Sequence, residues 1–224
     1  MVPALVVEER LRIPADVFEM ERFRAWIHSE EFPERLRAAY IAGEVEIDMS
    51  PEELETHNKL KSHLHGHLWL YIEQHDLGDL LSDGALLVCA EAALATEPDM
   101  MFCSWDSLRQ GRVRYGEYVK GSSRLVEVVG AADLVVEIVS NSSVRKDTVL
   151  LRQRYFEAGV REYWLIDARG DEIAFELLVR GAKQYSPADA DSDGYQFSPV
   201  LNGRFALSRE RNPVGGFRYR LRQR

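Results

Sequence analysis

The chain has 224 residues, 46% of them hydrophobic, which suits one domain of ordinary size with a sizeable core and excludes disorder of the whole. Its net charge of −9 argues against a nonspecific coat for nucleic acid. No apolar run reaches the roughly 20 residues of a membrane span, and the only cysteines, Cys89 and Cys103, form no C-x-x-C pair, so neither a disulfide framework nor a thiolate zinc site is implied.

Residues 1–11 carry Glu8, Glu9 and Arg10 and lack the basic-then-apolar order of an export signal, which points to the cytoplasm. Asp16 and Glu19 have the spacing of a capping box, so a helix is expected from Asp16 to His28, with Phe23 and Ile27 on one face. Glu44 to Met49 alternates like a strand. Ser50-Pro51-Glu52-Glu53 then has the signature of a helix start: a serine cap, a proline in the first turn and an acid closing the box. Leu60, Leu64, Leu68 and Ile72 repeat at spacing four down to about His75, with Gly78 marking the end region. Residues 84–103 read as a hairpin or two strands, Ala85 to Ala90 and Ala92 to Cys103.

Leu125 to Val129 is a further strand, ended by Gly130. Asp133 to Val139 is almost continuously apolar, as in a strand buried on both faces with parallel neighbours. Ser142 or Ser143 can cap a following helix whose inner face is Val144, Thr148, Leu151 and Tyr155, with Gly159 at its C-terminal cap. Tyr163 to Asp167 is a short buried strand. The two strands and the helix between them have the length of a crossover, so the strands should be parallel. Glu172 to Arg180 and Tyr195 to Val200 look like edge strands. Asp189 to Gly194 resembles the opening of a calcium loop but lacks the glutamate at the twelfth position, and a turn is expected. From Arg204 onward seven arginines face one acid, Glu210: a basic tail that is either a frayed, solvated terminus or a contact for phosphate. The element order gives an α/β domain, a mixed sheet with helices on both faces.

Glu137 is the most informative residue. Burying an ionised carboxylate without a partner costs several kcal/mol, so the site demands a cation, a metal or a raised pKa. Strand alternation puts Asp133, Val135, Glu137 and Val139 on one face. Asp133 and Glu137 lie about 13 Å apart along the strand, at about 3.3 Å per residue, and cannot share one metal. A second ligand must come from another strand, and Asp99, after Pro98 at the start of an apolar strand, is the natural candidate. Two such carboxylates attract a hard cation such as magnesium, which polarises a phosphodiester and lowers the pKa of a bound water. The structural alternative is that Asp99 caps a turn and Glu137 pairs with a buried Lys or Arg. His63, His65 and His67 invite a zinc hydrolase, but without a third ligand or an H-E-x-x-H pattern that reading is the weakest.

Pro98-Asp99, the run Asp133 to Ser140 and the run Tyr155 to Asp167 resemble a large bacterial family of restriction endonucleases within the PD-(D/E)XK nuclease superfamily. Gly43-Glu44, Met49-Ser50-Pro51 and His57 match further motifs of that family, so the resemblance spans residues 40–170. It implies a restriction-endonuclease-like αβββαβ core within a single domain, residues 1–224, with the N-terminal helix and basic C-terminal tail as extensions. It implies Asp99 and Glu137 as ligands of Mg2+ or Mn2+ and hydrolysis of phosphodiester bonds in DNA. The superfamily lysine, two residues after the second acid, falls on Val139. Relatives carry a lysine four residues after the aspartate matching Asp147; here Leu151 stands there with Arg152 beside it, and Lys146 is the nearest alternative. The expected catalytic set is Asp99, Glu137, Lys146 and His57, with His57 orienting water or phosphate. The missing lysine also keeps open an inactive nuclease-fold module that binds nucleic acid or a protein. No membrane partner is expected, and a homodimer is compatible with the chain.

Overall fold

The computed structural model describes residues 11–33, 36–117 and 124–224; residues 1–10, whose charge order was read for an export signal, lie outside them. The chain opens with α1 (Met20–Ile27), β1 (Arg37–Ile41) and β2 (Glu44–Asp48), and a π-helical turn (Leu54–Asn58) leads into α2 (Lys59–Gln74). Then come β3 (Gly78–Ser82), β4 (Leu86–Cys89), β5 (Leu94–Thr96), β6 (Met100–Ser104), α3 (Trp105–Arg109), β7 (Val113–Gly116), β8 (Glu127–Gly130) and β9 (Leu134–Ile138). A second π-helical turn (Lys146–Leu151) leads into α4 (Arg152–Ala158) and β10 (Glu162–Asp167). The C-terminal part holds β11 (Ala174–Arg180), β12 (Tyr185–Pro187), β13 (Gln196–Ser198), β14 (Gly203–Arg211) and β15 (Phe217–Gln223).

Three sheets result, in the orders β2-β1-β5-β4-β8-β7, β12-β11-β10-β9-β6-β3 and β13-β14-β15. The second sheet carries the expected αβββαβ order: α2, then β3, β6 and β9 successively antiparallel, then α4 and β10. β10 runs parallel to β9, with Trp164 opposite Val136. The period of two on β9 explains the layering. Leu134, Val136 and Ile138 meet Leu60, Leu64, Leu68 and Ile72 of α2 on one face. Val135 and Val139 meet Leu151, Tyr155 and residues of the first sheet on the other. α1 closes the far side of the first sheet with Phe23 and Trp26. Among the described residues no helix is long and apolar enough to cross a membrane.

The strand expected over Ala92 to Cys103 is two strands in different sheets, β5 in the first and β6 in the second. Glu97-Pro98-Asp99 is the crossing. Pro98 has no N–H for a ladder, so pairing stops there and Asp99 is left at the seam between sheets. The expected serine cap also fails. Residues 50–53 precede the helix without helical structure, and the Glu53 side chain caps the following turn by accepting from Glu55 and Thr56 N–H. Helix α1 starts at Met20, not Asp16, whose carboxylate pairs with Arg22 at 3.2 Å. Gly78 belongs to β3, where a Cβ would collide with the Cys103 carbonyl. Gly159 ends α4 as expected, at φ 91°.

β11 is an inner strand, flanked by β10 and β12. The Asp189 to Gly194 segment is a turn, in which Asp191 Oδ1 accepts the N–H groups of Asp193 and Tyr195 at 3.0 Å. Cys89 and Cys103 are buried free thiols. The arginine-rich tail is not frayed. β14 and β15 pair along their length, and Phe205, Tyr219 and Leu221 pack into the core beneath α2.

Candidate active site

The crossing at Pro98 and the middle of β9 meet at one place. Asp99 Oδ2 accepts the Ile138 N–H at 2.8 Å, and the Asp99 N–H lies 3.5 Å from Glu137 Oε2. Both side chains line a cleft of about 560 Å³, together with His57, Lys146, Asp147 and Glu52. All four residues expected from the sequence therefore face one cleft.

Two π-helical turns border it, Leu54–Asn58 carrying His57 and Lys146–Leu151 carrying Lys146 and Asp147. Such wide turns are rare and recur at functional positions, because they rotate side chains out of the α-helical phase. The helix after β9 shows the effect. Leu151 and Tyr155 are buried as expected, yet Asp147 is buried too, while Thr148 is only half-buried.

The two acids have opposite electrostatics. Glu137 is buried, and its only direct side-chain partner among the described residues is a neutral phenol: Tyr155 donates to Oε1 at 2.7 Å. Burial, then the charges of Asp147 and Asp99, push its pKa well above the usual carboxylate range, and Lys146 opposes them only in part. Asp99 is also buried, which alone would raise its pKa. The hydrogen bond and charge of His57, with the Ile138 N–H and Lys61, outweigh burial and hold it below the usual range.

His57 is clamped on both nitrogens, Nδ1 2.9 Å from Glu52 Oε1 and Nε2 3.4 Å from Asp99 Oδ2. Burial opposes its protonation, but the Asp99 bond and charge prevail and its pKa rises. Lys146 is half-buried with Nζ 3.9 Å from Asp147 Oδ1. Burial opposes its charge as well, but Glu137, Asp147 and Asp99 outweigh it and its pKa rises.

Three residues join this set that were not among the expected site residues: Glu52, Lys61 and Asp147, of which only Asp147 matches a position of the family's motifs. Lys61 is buried on α2 behind the cleft, bonded to Glu52, 2.9 Å from Asp83 Oδ2 and 3.7 Å from Asp99 Oδ1. Its position beside Leu60 at the margin of an apolar stripe gave no signal of its own. Asp147 had one, since it stands three residues after Val144 and four before Leu151, on the face that must turn inward.

The positions where relatives or the superfamily place a lysine are core here. Val139 and Leu151 are buried in the shared apolar cluster, and Arg152 turns away to Glu176 at 3.6 Å. The histidine run is structural at its first member, since His63 Nε2 accepts the Leu221 N–H at 3.0 Å and its pKa is pushed down to about 4, by burial first.

A hard cation fits the donor set. Asp99 and Glu137 offer carboxylate oxygens at a cleft, and no Lys or Arg is hydrogen-bonded to Glu137 among the described residues. Among those residues no three acids, histidines or cysteines stand close enough to ligate one ion together. Two protein ligands with the remainder water is the habit of magnesium.

An αβββαβ sheet with two acids converging at the sheet seam defines the restriction-endonuclease-like class. The chain belongs to the Uma2 family, described as "Putative restriction endonuclease", which it matches over residues 20–210. Its fold is similar to the crystal structure of "a putative nuclease belonging to DUF820" from Anabaena variabilis ATCC 29413, with TM-score 0.54 and 14% identity over 74% of this chain and 83% of that one. No curated protein matches the chain.

Proposed function

We propose that the protein is a cytoplasmic, metal-dependent endonuclease that hydrolyses phosphodiester bonds in DNA, with Mg2+ or Mn2+ held by Asp99 and Glu137. The observation that carries this reading is Glu137 itself, a buried acid at a cleft whose direct side-chain partner is a phenol and not a cation. When bound, such a cation polarises the phosphate and lowers the pKa of a coordinated water. The chain's own residues do the rest. His57 and Lys61 keep Asp99 ionised and ready to ligate. Burial and the neighbouring acids favour the protonated form of Glu137, so a proton competes with the cation there and binding weakens as pH falls. Lys146 keeps its ammonium charge beside the acids, where it can stabilise negative charge on the phosphate. The family's designation as restriction endonucleases supports DNA as the substrate.

The test is cleavage of supercoiled plasmid and oligonucleotides with Mg2+, Mn2+ or EDTA, comparing wild type with Glu137→Ala. Metal-dependent nicking lost in the variant supports the reading. Wild type that cuts nothing, or a variant that cuts as well, overturns it. A second reading, an inactive module that binds nucleic acid or a protein partner, is favoured by one observation: Val139 and Leu151 fill the lysine positions with core side chains. On that reading DNA shifts in a gel but is not cut.

A further inference from the structure

We propose that Asp147 is a positioning residue for the cation, its Oδ1 accepting hydrogen bonds from the waters that complete the coordination shell. This rests on the reading of Asp99 and Glu137 as the direct ligands.

The argument starts from an unpartnered atom. The Asp147 side chain is 2% exposed, and Oδ1 is buried without a hydrogen-bond partner. Proteins seldom leave a buried carboxylate oxygen in that state, and a bound water or ion is a usual reason for it. The other oxygen is satisfied. Oδ2 accepts the Ser143 hydroxyl, and that hydroxyl in turn accepts the Ser140 N–H at 2.9 Å. The backbone is fixed as well, with Tyr163 donating to the Asp147 carbonyl at 2.9 Å and Asp147 N–H donating to the Ser143 carbonyl at 2.8 Å. Asp147 lines the cleft with Asp99 and Glu137, and with Oδ2 tied down Oδ1 is the oxygen left to take a ligand.

Two ordinary explanations fail. Lys146 does not occupy Oδ1, because its Nζ at 3.9 Å is beyond hydrogen-bond distance. Nor is Asp147 a helix cap. Its bonded oxygen takes a serine hydroxyl and not a backbone N–H, and the residue sits inside the π-helical turn. Among the described residues no three acids, histidines or cysteines stand together as one ligand set, so Asp147 is not a third direct ligand beside Asp99 and Glu137. A buried carboxylate oxygen next to such a pair reaches the cation through water. Magnesium and manganese retain such waters, and partners of this outer kind set affinity.

The experiment is calorimetric titration of metal-free protein with Mn2+, together with melting curves in EDTA and in Mn2+, for wild type, Asp147→Asn and Glu137→Gln. Asp147→Asn keeps the shape and removes the charge. It is expected to weaken Mn2+ about ten- to a hundredfold, to shrink the melting-temperature rise given by Mn2+, and to leave the melt in EDTA unchanged or higher. Ser143→Ala keeps the charge and releases Oδ2, and should weaken Mn2+ severalfold; it serves as the readout if Asp147→Asn does not fold. Either folded variant binding Mn2+ as tightly as wild type overturns the role of Asp147. If wild type binds and Glu137→Gln does not, the direct ligands stand whatever Asp147 does. If wild type takes up no Mn2+, the ligand reading and this inference fall together.

Discussion

The phenol of Tyr155 donates to Glu137 Oε1 at 2.7 Å, and both side chains are buried between the two large sheets. A neutral donor satisfies the oxygen without repaying the desolvation of a full charge. Glu137→Gln should therefore keep the fold and melt in EDTA at or above the wild-type temperature, because the amide oxygen still accepts from Tyr155 and repulsion from Asp99 and Asp147 disappears. Any rise in melting temperature given by Mg2+ or Mn2+ should vanish in the variant. Had Glu137 been paired with a buried Lys or Arg, the same change would cost about 3–5 kcal/mol. A fall of that size in EDTA, with no effect of metal on wild type, would identify a structural acid.

The same crowding fixes the pH dependence of the metal-free protein. Glu137 is raised above 4.5 and Asp147 is raised from 3.8 to about 6, both by burial first. For each, the folded state holds the proton more tightly than the unfolded chain. The stability they contribute is present below their unfolded values and is lost as pH rises through the folded ones. His57 has the same sign, because its pKa is also raised on folding. In EDTA, melting temperature should thus fall between pH 5 and pH 8, and the fall should be shallower in Glu137→Gln and Asp147→Asn. A wild-type profile flat over that range would contradict the arrangement of charges.

Much of this was legible in the sequence, and what was not has identifiable causes. The crossover from β9 through α4 to β10 showed in two apolar runs and a glycine stop, and parallel pairing followed from its length. Asp99 and Glu137 could be paired from the sequence because one acid was trapped in an apolar strand and the other followed a proline. The division of residues 92–103 between two sheets was hidden, since an apolar run looks the same whichever sheet receives it. Ser50 does not cap because its hydroxyl is engaged elsewhere: it bonds Asp48, two residues back, and Ser142, far along the chain, instead of the helix N-terminus. Lys61 was hidden for a similar reason, its partners Asp83 and Asp99 being far along the chain. The tail did carry a strand signal. Arg218, Arg220 and Arg222 alternate with Phe217, Tyr219 and Leu221, the period of two that β15 shows.

Away from the cleft, Arg24 of α1 forks onto Glu127 of β8, with Nε 2.9 Å from Oε1 and Nη2 2.5 Å from Oε2, and His28 Nε2 is 3.0 Å from Oε1. Burial alone would raise the Glu127 pKa, but the bonds from His28 and Arg24 lower it from 4.5 to about 2. A depressed acid contributes stability that is present above its unfolded value and lost as pH falls through the folded one. Glu127→Gln leaves the Arg24 guanidinium with only the exposed Glu21 as counter-charge and should cost at most about 3–5 kcal/mol at pH 7. The deficit should shrink between pH 4 and pH 2, which denaturant titrations at several pH values can read. A variant as stable as wild type at pH 7 would show that this fork does not anchor α1.

Lys146 offers the sharpest division between the two functional readings. Its charge is reinforced by Glu137, Asp147 and Asp99, so it stays an ammonium at neutral pH and serves as a fixed positive charge, not as a base. Lys146→Met should lower the single-turnover rate of DNA cleavage about 10²–10³-fold, the scale for losing one well-placed donor to a developing negative charge. Lys146→Arg, which keeps the charge on a longer and planar group, should retain more of the rate than Met. The stability effect has its own sign. Removing the ammonium leaves three acids with less opposing charge, so Lys146→Met should melt lower than wild type in EDTA at pH 7.5 and approach it at pH 5, below the raised Asp147 value of about 6. Mn2+ should restore more stability to the variant than to wild type, because the cation replaces the missing positive charge. If wild type cuts DNA and Lys146→Met cuts it equally fast, Lys146 has no part in the chemistry. If neither cuts and only the melting behaviour follows this pattern, the cleft binds a cation in a module that no longer hydrolyses DNA.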